Sequence, residues 1–495
     1  MVTAAQGISR TCLSMYQLQC SDCDIVRDGH VQTHAELHPL RNVGDADADA
    51  VLAILDPAPH DDVLDLLLGA ERPTNSKEID CVEKKVLRTF LDTYSSAPAW
   101  VDWEKIRKGQ DVFVRDLPIC GLTLFYLSLI GGFSAPLITK VLRATGYLTA
   151  GPRRVLRRLA DTGHMICECL EEDALNPTKH AAGWKAVMRV RFLHGMVRRR
   201  LAGKPYWQAD LWGTAINQED MCATLLAFSY NVIVGIEMVY GRPLSHEDQD
   251  AYIHLWRYIG WLIGIEDMHN PCIDLDHSKA ALESIVMHLL EPDDDSRAVA
   301  HHLLLAPGRG AFGQQFRHIL CRRFLGDELA DALSIHRHGG FDCLVTLFLW
   351  TMRAYTYCLR VKILAWPLMR LHRWVLARAL SRGRDISSHQ LHAEPPGEFT
   401  STMLQGRCLS ADALPLPKPS AACPFLSLSE FLVNHNRDSA TDGGDGDTEA
   451  KAHVTDTASK TTLRPTDSER QSVYSPISVV AMVAAVAAFA FWLHG

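Results

Sequence analysis

The sequence has little of what marks the specialised classes of chain. Glycine (32) and proline (23) stand at ordinary levels in 495 residues, which excludes collagen-like and wholly disordered polymers. Fourteen cysteines are too sparse over this length for a disulfide scaffold, and the first thirty residues hold no apolar signal-peptide core. The thiols therefore read as reduced, in a cytosol-facing protein. Mean hydropathy is near zero, which excludes a multi-span membrane class. Positive charge has no excess either: 50 Lys and Arg against 58 Asp and Glu give a net charge of −8, and no nucleic-acid motif accompanies the basic residues. What is present is 47% hydrophobic content. At roughly 100 to 200 residues per domain the length allows two or three domains, each able to bury a core without metal or disulfide.

Organisation follows from where the apolar residues fall. The pair Cys20 and Cys23, after Cys12, has the gap of a zinc knuckle or redox motif, but no second half follows at the usual spacing, so an unstructured tail is the alternative. Residues 1–74 read as a polar, partly disordered region, with Asp alternating with Ala from Asp45 to Asp49 as a weakly ordered approach. Apolar periodicity begins near Val51 and strengthens at Val82, Val86, Leu87, Phe90 and Leu91, the spacing of an amphipathic helix. It continues to about Arg384 without strand-type alternation, so residues 75–385 are expected to form an all-α, multi-helix domain. Residues 386–474 are rich in Ser, Pro, Gly, Asp and Thr, a disordered linker.

Residues 475–495 then read as a C-terminal transmembrane helix. Ile477 to Leu493 carries no charge and ends near Trp492, and its length covers roughly 26 Å, close to a bilayer core. A second uncharged run, Leu117 to Thr139, is long enough to span but is interrupted by Gly131, Gly132 and Pro136. Buried core helices or a membrane-surface hairpin explain it better than a span. Arg153, Arg154, Arg157 and Arg158, with Arg198 to Arg200, make the middle of the chain cationic, which in a tail-anchored protein suits anionic lipid headgroups.

Among 23 histidines, context selects one. Gly183 to Leu201 reads as a helix of about five turns with Val187, Val190, Val197 and Leu201 on one face. His194 falls on that face, with Arg191 one turn before and Arg198 one turn after. Such a helix offers a metal ligand flanked by anion clamps: the imidazole on haem iron, the guanidiniums on propionates or another carboxylate. The alternative is a core histidine bonded to a backbone carbonyl, with the arginines reaching solvent or acidic neighbours.

Arg191-Phe-Leu-His194 followed by Val197-Arg198, preceded by Trp184 and Val187, resembles the signature helix of the rubber oxygenase (latex-clearing protein) family, which includes the ER-bound oxygenase mpaB. Upstream, Gly109-Gln110 with Phe113, Leu142 to Gly146, and Arg158-Leu-Ala-Asp-Thr162 are similar too. Downstream come Ile216-Asn-Gln-Glu-Asp-Met221, Thr224, Phe228-Ser229, Gly241 to Glu247, Tyr252 to Gly260 and Leu262 to Ile265, so the resemblance covers roughly residues 90 to 270.

The resemblance implies an all-α, globin-like haem b domain that uses dioxygen to cleave a double bond of an isoprenoid chain. It places His194 as the axial metal ligand, Arg191 and Arg198 as the arginines beside it, and Thr162 on the distal side. This chain departs from the pattern at Asp161, where rubber oxygenases carry a lysine, so the distal iron position is expected to be open, water-bound or otherwise occupied. The expected partners are an apolar unsaturated or prenyl substrate, dioxygen and membrane lipid, with no nucleic acid, and the expected location is a membrane, the endoplasmic reticulum first.

Two other clusters carry weaker signals. Glu219 and Asp220 read as acid/base groups or, more simply, as first-turn helix charges behind an Asn cap. His336 and His338, before Gly339-Gly340, read as metal ligands or, more simply, as a surface loop. The leading expectation is a membrane-tethered haem oxygenase; the alternative is a non-catalytic membrane-tethered scaffold or haem sensor with the same fold.

Overall fold

The computed structural model describes residues 38–58, 61–69, 80–145, 152–306, 310–359 and 361–387. Cys20 and Cys23, the linker beyond 387 and the apolar run Ile477 to Leu493 lie outside the described residues. Among the described residues every regular element is helical, as expected. A 3-10 turn at His38–Asn42 leads into α1 (Ala46–Leu55), α2 (Val63–Gly69), α3 (Cys81–Tyr94), α4 (Trp103–Arg115) and α5 (Leu117–Thr123), which continues as a π-helical segment, Leu124–Ile130. Next come α6 (Pro136–Thr145), α7 (Pro152–Cys169), α8 (Ala182–Leu201), α9 (Ala209–Trp212), α10 (Gln218–Phe228), α11 (Tyr230–Tyr240) and α12 (His246–Leu262). The chain closes its described part with α13 (Leu275–Leu289), α14 (Asp294–Leu305), α15 (Ala311–Leu325), α16 (Asp327–Ala332), α17 (Asp342–Cys358) and α18 (Lys362–Ser387).

Side-chain caps start many of these helices. Asp45, Asp80, Asp102, Asn217, Ser245, Asp274 and Asp293 each accept a backbone N–H from the first turn, and Asp80 forms a reciprocal capping box with Glu83. Each such cap is worth about 1 kcal/mol. The most intimate helix pair is α4 against α12. Gly109 permits it, since a Cβ there would lie 2.5 Å from the Ala251 carbonyl oxygen.

The central helix is α8, which buries Trp184, Val187, Met188 and Phe192 and packs against α1, α2, α7 and α12. Here the structure differs from the sequence reading. The Asp–Ala run is not a loose approach: Asp45 caps α1, and Ala48, Val51 and Leu52, at helical spacing, join the core. The packed core thus takes in residues well before 75. The acidic positions of the run face outward or pair with arginines of α8, which single-residue polarity does not reveal.

The apolar run from Leu117 is core. Every residue of α5 is buried, as is the π segment apart from Leu129, and this stretch bends 82° from α4. Gln218–Tyr240 is apolar and long enough to cross a bilayer by composition, yet most of it is buried against the same core.

Candidate functional site

α8 runs one residue earlier than expected and places His194 as the sequence predicts, one turn from each arginine. The imidazole is half-buried, and its Nδ1 is enclosed without a hydrogen-bond partner among the described residues, so no described backbone carbonyl anchors that nitrogen. Burial first, and then the Arg198 guanidinium, push its pKa down to about 4, outweighing Asp45. At neutral pH the ring is therefore uncharged, the form that ligates a metal.

Arg191 is 1% exposed and held on three sides. Its Nε and Nη2 donate to the Asp45 carboxylate at 2.7 and 2.8 Å, Nη2 also donates to the Tyr94 hydroxyl at 2.8 Å, and the guanidinium lies 4.0 Å from the Tyr94 ring centroid. The Tyr94 hydroxyl in turn donates to Asp47. Burial disfavours a charge here, but Asp45 outweighs it and keeps Arg191 protonated. Its remaining nitrogen, Nη1, is buried without a partner among the described residues. Gly264, at φ +102°, makes the pairing possible, because a Cβ there would sit 2.2 Å from Asp45 Oδ2.

Each guanidinium nitrogen of Arg198 has a partner. Nε and Nη2 clasp Asp49, and Nη1 donates to the Ile216 carbonyl at 2.9 Å. Ile216 has φ +52°, a strained conformation for a β-branched residue that costs about 1–3 kcal/mol. The Ile216 to Met221 motif follows at once. Asn217 caps α10, and the Gln218 amide donates to the carbonyls of Gly44 and Gly264, joining the two segments that meet at the Asp45–Arg191 pair.

Glu219 and Asp220 fall on the simpler of their two readings. They are first-turn charges behind the Asn217 cap, and both pair with buried Arg41, at 2.5 and 3.2 Å. Burial raises the Asp220 carboxyl to about 6 against the pull of Arg41. A small recess beside them is lined by Leu40, Glu219, Cys222 and His269 and by no residue of α8, so it is not the surroundings of His194.

Thr162 lies exposed on α7, which packs against α8, and among the described residues no hydrogen bond joins it to His194 or to either arginine. Asp161 is exposed beside it. His336 is exposed and His338 half-buried, the latter 3.1 Å from His318 Nδ1. Among the described residues no three His, Cys, Asp or Glu side chains are arranged to hold a metal ion.

Sequence reasoning missed Arg41, Asp45, Asp49, Tyr94 and Gly264. The only signal was the four-residue spacing of Asp45 and Asp49, which puts both carboxylates on one face of α1. It points to a basic partner without saying which.

A family model described as ER-bound oxygenase mpaB/B'/Rubber oxygenase, catalytic domain, matches residues 121–381. The rubber oxygenase of Streptomyces sp. (strain K30) is 23% identical over 309 residues, covering 61% of this chain and 74% of that protein. Among solved structures, latex clearing protein LCP in the closed state is similar in fold with a TM-score of 0.51, at 20% identity over 68% of this chain and 91% of the other. Arg191, His194 and Arg198 fall inside the matched residues; Asp45, Asp49 and Tyr94 fall before them.

Proposed function

The chain belongs to the ER-bound oxygenase mpaB/B' and rubber oxygenase catalytic-domain family, and from that premise we propose that it is a membrane-anchored, haem b-dependent oxygenase acting with dioxygen on an unsaturated apolar chain, isoprenoid or lipid-like. The observation that carries the reading is His194. A neutral imidazole on a core helix, with a buried Nδ1 that no group among the described residues satisfies, is costly unless something else uses the ring. The unpartnered Nη1 of Arg191, one turn away, is a second orphan on the same helix, and a carboxylate of a bound group would satisfy it. The donor set thus fits haem: His194 would hold the iron and Arg191 would contact a carboxylate of the group.

When bound, haem supplies the dioxygen chemistry at the substrate double bond. The chain's own residues do the rest. Asp45 and Tyr94 fix the Arg191 guanidinium so that Nη1 keeps one direction. Three of the five N–H groups of Arg198 are held by Asp49 and Ile216, so its part is to fix α1 and the Ile216 turn against α8. Thr162 is assigned to the distal side on the resemblance alone. Residues 386–474 tether the domain, and residues 475–495 anchor it in a membrane of the endoplasmic reticulum type, from which an apolar substrate would enter.

The engaged state of Arg198 and the Asp161 departure favour one alternative, a membrane-tethered scaffold or haem sensor of the same fold. The test is an absorption spectrum of the purified full chain after haem addition. A Soret band that shifts or vanishes in His194→Ala is expected; an unchanged spectrum in that variant overturns the ligand assignment. Dioxygen consumption with prenylated and unsaturated lipids separates enzyme from sensor, since haem binding without turnover on any of them favours the sensor.

A further inference from the structure

The last two described helices turn apolar side chains to solvent in stripes. On α18, Ile363, Trp366, Arg370 and Trp374 recur at the spacing that keeps one helical face together. Ile363 is 84% exposed, Trp366 65% and Trp374 62%. The opposite side of the same helix is docked, with His372 and Leu376 buried. On α17, Leu347, Trp350 and Tyr357 form a second exposed stripe, and Val361 is exposed in the turn between the helices. Single exposed apolar residues are ordinary, but two tryptophans in register on α18, with a third in the stripe on α17, are not scatter.

Cations accompany the rings. The Arg370 guanidinium lies 4.8 Å from the Trp366 centroid and that of Arg353 lies 5.6 Å from Trp350. An indole whose apolar body enters the acyl boundary while an arginine meets the phosphates suits the headgroup layer. Arg370 stands on this face, Arg373 pairs with Asp111 at 2.6 Å and Arg378 is exposed, and the sequence of α18 adds Lys362, Arg382 and Arg384 against a single acidic residue, Asp385. That charge complements an anionic surface and argues against a second copy of the same face, which would bring like charges together.

We propose that the exposed face of α18 is a membrane-docking surface that lies in the headgroup layer of an anionic bilayer. It goes beyond the anchor assigned to residues 475–495, because the described helices carry it alone, and it orients the domain on the membrane where a terminal anchor only tethers it.

The test uses the full chain carrying Trp492→Phe, so that the segment assigned as the anchor holds no indole, with phosphatidylcholine vesicles that contain or lack phosphatidylserine and carry brominated acyl chains, reading tryptophan quenching. The expected result is a phosphatidylserine-dependent quenching that is lost in Trp366→Phe/Trp374→Phe and reduced in Arg370→Gln. Trp103→Phe, which removes an exposed indole on α4, should quench like the parent. Quenching indifferent to phosphatidylserine or to these substitutions overturns the proposal. So does a lipid-free self-association, seen by sedimentation, that the same substitutions abolish. The anchor is read separately: its failure shows as unchanged flotation with vesicles that lack phosphatidylserine after deletion of residues 475–495, whatever the quenching reports.

Discussion

Asp45 and Arg191 form a buried pair with two hydrogen bonds, and the energetic asymmetry of such pairs decides what a substitution there does. Removing one partner leaves an uncompensated charge, at a cost of about 3–5 kcal/mol, whereas an ion pair open to water is worth about 1 kcal/mol or less. Asp45 is 5% exposed, but the Asp49 side chain that holds Arg198 is 40% exposed. Asp45→Asn is therefore expected to lower unfolding free energy in denaturant titrations several-fold more than Asp49→Asn; equal losses would mean that the two pairs are equally shielded. The same contrast shows what the sequence could reveal. Arg191, His194 and Arg198 were legible because one helix carries them in register. Asp45 and Tyr94 come from segments about 100 residues or more earlier, and no local pattern links them to α8.

At the scale of elements, α8 was legible to within a residue because its apolar stripe repeats for five turns. α1 was not, because its ten residues include only one short apolar face and are otherwise Asp and Ala. Its structure depends on the cap at Asp45 and on partners in α8. The Leu117 run was legible as helix, but its burial depended on neighbours that no window of sequence contains. The docking of α18 shows such a neighbour in detail. His372 donates from Nδ1 to the Val114 carbonyl at 2.7 Å, and its Nε2 accepts from the Tyr355 hydroxyl at 2.6 Å, so one ring joins α4, α17 and α18. That arrangement needs a neutral ring, and burial lowers the His372 pKa to about 4 despite the opposing carbonyl. Since the folded pKa lies below the unfolded value of about 6.5, the unfolded state binds more protons between those limits, and stability falls as pH drops from about 6.5 to 4. His372→Gln should flatten that part of the stability curve, measured by denaturant unfolding at stepped pH. An unchanged slope would assign the acid loss to other buried histidines, among them His318, whose pKa is lowered in the same direction to about 3.

For the whole molecule, the question is where the domain begins. Composition placed the boundary near residue 75, and a chain cut there would keep all of the residues that carry the family resemblance. It would lose α1 and α2, and with them the partners of Leu87, Phe192 and the rest of the core that Val51, Leu52, Leu64 and Leu67 complete. It would also lose Asp45, Asp49 and Arg41. Arg191 would then stay in the core without its carboxylate, Glu219 and Asp220 without their arginine, and Gln218 without the Gly44 carbonyl. Each of the first two changes costs about as much as a buried ion pair broken on one side, and together they approach the whole stability of a typical domain of about 5–15 kcal/mol. A fragment of residues 75–387 is accordingly expected to be aggregated or molten, with weak near-ultraviolet circular dichroism and no cooperative melt. A fragment of residues 38–387 should melt cooperatively and retain the His194-dependent Soret band. If the shorter fragment also melts cooperatively and binds haem through His194, then α1 rests on a domain that folds without it, and the carboxylates at Asp45 and Asp49 only cover arginines that the cofactor would otherwise meet.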